Sequence, residues 1–131
     1  MTLQQLLGIE LPIVQAPMAG AQGSALAIAV SNAGGLGSLP CAMLDVNAIR
    51  DELAAIKAQT TKPYSVGFFC HVPPAPNAER EARWRDALAP YYAEFGIDAR
   101  VIPAGMGRNP FSAEAAQVLT EFKPVVVSFH F

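Results

Sequence analysis

Apolar and polar positions along the chain switch between two periods. Pro12–Ala16 (PIVQA) is short, apolar and β-branched, and Pro17 stops it; this predicts a strand buried on both faces. A loop of small residues follows, and Ser24–Asn32 (SALAIAVSN) reads as a helix, capped by Ser24 and ended by Gly34 in the left-handed conformation. Gly35–Leu39 predicts a second strand. Asp45 caps a helix running to about Ala58, with Ile49, Leu53 and Ile56 on one face. Tyr64–Phe69 (YSVGFF) predicts a third strand. Asn77 then caps a helix through Phe95, ended by Gly96, in which Trp84, Leu88, Tyr91 and Phe95 form a core-facing stripe and Pro90 kinks or splits the helix.

The stretch 97–110 reads as a long loop with a short strand at Arg100–Ile102. Ser112 caps another helix, with Glu114 well placed in its first turn, and Pro124–Phe131 (PVVVSFHF) predicts a fourth, continuously apolar strand. The order β-α-β-α-β-α-β, with helix-length crossovers, implies an α/β fold built on a parallel sheet. A complete (β/α)8 barrel takes about 250 residues. The 131 residues therefore read as one domain, 1–131, the N-terminal half of a truncated TIM-type barrel whose sheet edges are open to self-association.

Composition sharpens this reading. Apolar residues make up 52% and charged residues 15%, so the chain is not disordered and is short of charge for its size. A net charge of -2 excludes a broad basic field for nucleic acid, and no lysine-rich run addresses an anionic membrane. No apolar run approaches the roughly 20 residues of a membrane span, and the first residues lack a signal-peptide pattern, so a cytoplasmic location is expected. Cys41 and Cys70 form no disulfide framework and read as packed or near-site thiols. No His/Cys/Asp/Glu spacing fits a metal.

Two constellations carry candidate chemistry. Gln15-Ala16-Pro17-Met18-Ala19-Gly20 lies at the C-terminal end of the first strand, where parallel barrels build their active face. The pattern fits a tight loop as well as a ligand wall. Ser31–Ser38 (SNAGGLGS) is glycine-rich but runs from helix to strand, the reverse of a dinucleotide fingerprint. Arg80, Arg83 and Arg85 with Glu79, Glu81 and Asp86 read as a solvated helix face, and Gly105, Gly107, Arg108 and Asn109 as an anion-binding loop or a surface excursion, the latter favoured.

PIVQAPMAG, AVSNAGGLGSL, KPYSVGFFCH and VVSFHF, in that order across nearly the whole chain, resemble the FMN-dependent nitronate monooxygenases. The resemblance implies a TIM barrel with FMN across its C-terminal mouth and Ala16, Pro17 and Met18 lining the flavin ring. It implies that His130 matches the catalytic histidine, and that a small nitronate and oxygen are the reactants. Related enzymes usually carry a flavin-bonding asparagine where this chain has Gly67, so that side-chain contact is absent here. His71 reads more simply as a loop histidine. The first two motifs also occur in FMN-dependent enoyl-thioester reductases, the alternative activity. A non-catalytic half barrel acting through association is the third reading.

Overall fold

Three parallel strands organise the computed structural model, which describes residues 1–101 and 107–131. They are β1 (Gly37–Pro40), β2 (Tyr64–Phe69) and β3 (Val126–His130), in the order β1-β2-β3. Gly37 pairs with Tyr64 and Pro40 with Gly67; Ser65 pairs with Val126 and Phe69 with His130. The helices are α1 (Leu3–Leu7), α2 (Ser24–Asn32), α3 (Val46–Gln59), α4 (Ala78–Glu94) and α5 (Ala113–Phe122). The chain divides into two compact units, residues 1–72 with 108–131, and residues 73–107. The parallel β/α arrangement agrees with the fold class expected from the sequence.

The first unit has one hydrophobic core on one face of the sheet. Val66 and Phe68 of β2 meet Ile49, Leu53 and Ile56 of α3 and Ala115 and Val118 of α5. The apolar face read at Ile49, Leu53 and Ile56 is thus buried as its spacing requires. Asp45, Asn77 and Ser112 cap α3, α4 and α5 by accepting from the amides of Ala48, Arg80 and Ala115. By strand alternation, Ser65, Gly67 and Phe69 face the other way, beside Ser38, Pro40, Ser128 and His130.

Backbone contact is closest where α2 lies on β1. A Cβ built at Gly37 would sit 2.0 Å from the Ala27 carbonyl oxygen and 2.7 Å from Ser31 Oγ. The buried Ser31 hydroxyl accepts from the Gly37 amide (3.2 Å) and donates to the Pro63 carbonyl (2.8 Å). It therefore ties the start of β1 to the entry of β2. Gly34 takes a left-handed φ of 94° at the turn between α2 and β1, as read from the sequence.

Six expectations change. Pro12–Ala16 makes a single parallel bridge, Val14 to Leu36, and Ile13 and Val14 are half-exposed rather than buried on both faces. The ladder stops there because the Gln15 carboxamide takes both backbone groups of Ser38, at 3.1 Å each. Ser24 is the first helical residue, not the cap; the Glu52 carboxylate accepts from its amide at 2.7 Å. In the second unit α4 is unbroken across Pro90, carried by flanking alanines of high helix propensity. Its stripe is not core: Trp84, Tyr91 and Phe95 are 68%, 58% and 71% exposed. Ala99–Val101 is a 3-10 turn rather than part of a strand, because the Asp98 carboxylate accepts from the Arg100 amide and side chain; Ile102 lies outside the described residues. Cys70 is exposed, not packed.

One helix was not read from the sequence. Thr2 and Gln5 cap α1 reciprocally, and that Thr-x-x-Gln spacing is its signal.

Gly37→Ala should lower stability by more than about 3 kcal/mol, because backbone and not a flexible side chain blocks the new methyl group. Gly96, left-handed with open space around it, should cost only about 1–2 kcal/mol when changed to alanine. Thermal melts followed by circular dichroism separate the two; equal shifts contradict the close approach.

Candidate active site

The C-terminal ends of β1, β2 and β3 share a cleft of about 200 Å³ lined by Ala16, Pro17, Pro40, Gly67, Phe69 and His130, with Ala19 and Ala42 at its margins. Ligands of parallel α/β sheets bind at this end. Four of the five site residues singled out from the sequence, Ala16, Pro17, Gly67 and His130, meet here although 114 residues separate the outer two. Met18, the fifth, is 54% exposed and lies outside the lining.

Two glutamines build the wall at Ala16 and Pro17. The Gln15 carboxamide pairs with the Ser38 amide and carbonyl as a further strand residue would. Gln22 Nε2 donates to the Ala16 carbonyl at 3.1 Å, while Gln22 Oε1 is buried with no partner among the described residues. Together they pin the segment before Pro17 to the end of β1.

The floor is Gly67. A Cβ there would lie 3.0 Å from Pro17 Cγ and 3.3 Å from Ser128 Oγ, so the bare backbone is what lets the Pro17 ring come down onto β2. A longer side chain at this position would compete with Pro17 for the same space. The lining is small, apolar and backbone-rich. It suits the face of a flat aromatic ring better than a charged or extended ligand.

Phe69 is the hub of the open side. Its ring centroid lies 6.4 Å from His130, 6.2 Å from His71 and 5.1 Å from Phe131, each edge to face. The guanidinium of Arg108 lies 5.7 Å from the same centroid. The Cys70 amide donates to the His130 carbonyl at 2.9 Å and so fixes the backbone on which His130 stands. His130 itself is exposed, and its imidazole is available to a ligand.

The family comparisons agree with this geometry. The family model described as nitronate monooxygenase matches residues 1–131. The chain belongs to the nitronate monooxygenase family. A nitronate monooxygenase of Paraburkholderia phytofirmans is 42% identical over 98% of the chain, and one of Pseudomonas aeruginosa 41% identical over 97%. The chain spans 36% of the length of each. Among solved structures, nitroalkane oxidase from Streptomyces ansochromogenes aligns with a TM-score of 0.72 at 33% identity, over 94% of this chain and 34% of that one. FabK from Thermotoga maritima aligns with a TM-score of 0.62 at 25% identity, over 96% of this chain and 29% of that one.

Sequence reasoning missed Pro40 and Ala42, which line the cleft from the end of β1, and Phe69 as the shared ring. The rule that strand C-termini carry the site would have flagged all three. No helix among the described residues is long and apolar enough to cross a membrane, and no cluster of metal-ligating side chains occurs among them.

Cys41 and Cys70 differ sharply. Cys41 is buried on the helix side of the sheet, beside Phe68 and Ile49, and burial pushes its thiol up to about 12. Because the thiolate is the reactive form, Cys41 should resist alkylation at pH 8 until the chain unfolds. A disulfide-exchange reagent should therefore modify one thiol in the native protein and none after Cys70→Ser. Rapid modification of that variant would contradict the packing at Cys41.

Proposed function

We propose that the protein is an FMN-dependent nitronate monooxygenase. It oxidises alkyl nitronates such as propionate 3-nitronate, with oxygen, to a carbonyl compound and nitrite. The observation that carries this reading is the meeting of His130 with Ala16, Pro17 and Gly67 in one cleft at the strand C-termini. The lack of a disulfide framework accords with a cytoplasmic setting.

The residues present fit the flavin ring. Ala16, Pro17 and Gly67 would hold it through backbone and small side chains, with Met18 of the same loop at its margin. Gly67 would offer the ring no side chain, and the Pro17 ring lies close over its backbone. Bound flavin supplies the one-electron oxidation that the side chains here cannot perform.

The remaining work falls to His130. Its exposed imidazole can take a proton from the carbon next to a nitro group. In its protonated form it donates a hydrogen bond to the nitronate oxygens. The Cys70–His130 backbone hydrogen bond and the Phe69 ring hold it at the cleft. Small apolar walls leave room for a short alkyl chain and exclude water from one side of it. The family match and the nitroalkane oxidase likeness favour this reading over thioester reduction. Among the described strands β3 is paired on one side only.

Nitrite release and oxygen uptake by the flavin-loaded protein, with a nitronate as substrate, test the reading. With the neutral nitro compound in place of its nitronate, His130→Ala should lower turnover by about a hundredfold or more while flavin stays bound. Turnover retained in that variant removes His130 from the chemistry.

A further inference from the structure

We propose that Glu52 is a positioning residue for the cleft: from α3 it holds the start of α2 and, through it, the loop that carries Ala16 and Pro17. This rests on the cleft reading above and concerns how one wall of that cleft is kept in place. The loop has little packing to hold it, since Met18, Gly20 and Ala21 are exposed. Its far end meets a helix with no local device at its N-terminus. Gly23 stands at the cap position of α2 and offers no side chain, and the first turn holds no acid. Glu52 supplies from another helix what is missing: its Oε2 accepts from the Ser24 amide at 2.7 Å.

A carboxylate on an amide at the positive end of a helix makes a charge-assisted bond, about twice as strong as a neutral one. Glu52 joins no ion pair among the described residues, so no cation competes for it. Its backbone is fixed by packing, because the next residue, Leu53, is fully buried with Ile49 and Ile56 in the core. The tie therefore runs from the core through α3 to Ser24. Two residues before Ser24, Gln22 Nε2 donates to the Ala16 carbonyl at 3.1 Å. Holding Ser24 sets where the Gln22 side chain starts. Gln22 in turn sets Ala16 and the adjoining Pro17 ring, which lies close over Gly67.

The test titrates three variants with lumiflavin, following the amide signals of Gly67 and His130 by NMR, and measures hydrogen exchange at the Ser24 amide. Glu52→Ala should weaken lumiflavin binding about tenfold, because binding then draws on the fraction of molecules whose loop is in place. Exchange at Ser24 should quicken, and the amides of Ala115 and Val118 should stay where they are. Glu52→Gln keeps an acceptor for Ser24 and should restore most of the affinity. Adding Gly23→Ser to Glu52→Ala gives α2 a cap of its own on an already extended backbone, φ -132° and ψ -157°. Helix stability then recovers, but affinity should stay low because the tie to α3 is still missing. Undiminished affinity in Glu52→Ala, or full recovery in the double variant, reduces Glu52 to a helix cap and overturns the proposal. A loss in Glu52→Gln equal to that in Glu52→Ala overturns it too. Each of those results leaves the cleft reading intact. No saturable binding of lumiflavin by the unaltered protein overturns the cleft reading and the proposal together.

Discussion

No side chain separates α2 from β1 at Gly37, where a single carbon atom would strike the Ala27 carbonyl. That contact sets the depth at which the helix lies on the sheet. The Ser31 hydroxyl uses the closeness to hold the Gly37 amide and the Pro63 carbonyl at once. Both are backbone groups, and a buried one left without a partner costs about 1–3 kcal/mol. The start of β1 and the entry to β2 are thereby fixed together, and every residue that lines the cleft except His130 of β3 is placed from those two strands or from the loop pinned to them.

The sheet then serves two purposes through its two faces. Toward the helices it presents Leu39, Val66 and Phe68, which are fully or almost fully buried. Toward the other side it presents short residues, Ser38, Ser65, Gly67 and Ser128, and the Ser38 and Ser65 hydroxyls bond one another at 2.5 Å. Short residues on that face let Pro17 descend onto Gly67 and leave a shallow apolar seat at the strand ends. At the rim the Phe69 ring lies 6.4 Å from the His130 ring and 5.7 Å from the Arg108 guanidinium. A single alternation of side chains thus separates the stabilising core from the face that carries the cleft.

Most of the first unit was legible in the sequence because its signals are local. Asp45 and Ser112 are caps whose chemistry acts within three residues, and Tyr64–Phe69 is bounded by Pro63 and a loop. The failures have a different physical origin. Pro12–Ala16 has the composition of a buried strand, but its pairing is ended by a side chain, Gln15, whose effect depends on where Ser38 lies in space. The Trp84–Phe95 stripe has helical spacing, but spacing says only that the residues share a face, not that anything covers it. The site was legible at Ala16, Pro17, Gly67 and His130 through motifs. Phe69 and Arg108 were named in the sequence, but their meeting depends on the return of the chain to β2 at Pro110, which no local pattern encodes.

Whether the cleft lined by Ala16, Pro17, Gly67 and His130 receives a flavin ring is tested most directly by titrating the protein with lumiflavin, the ring without its phosphate tail. Backbone amide shifts are followed by NMR. Binding at the seat moves the amides of Ala16, Ala19, Ala42, Gly67 and His130 together and leaves Ala115 and Val118, on the helix side of the sheet, unmoved. Shifts confined to the helix side around Cys41 and Ala115, or the absence of any saturable shift, would contradict it.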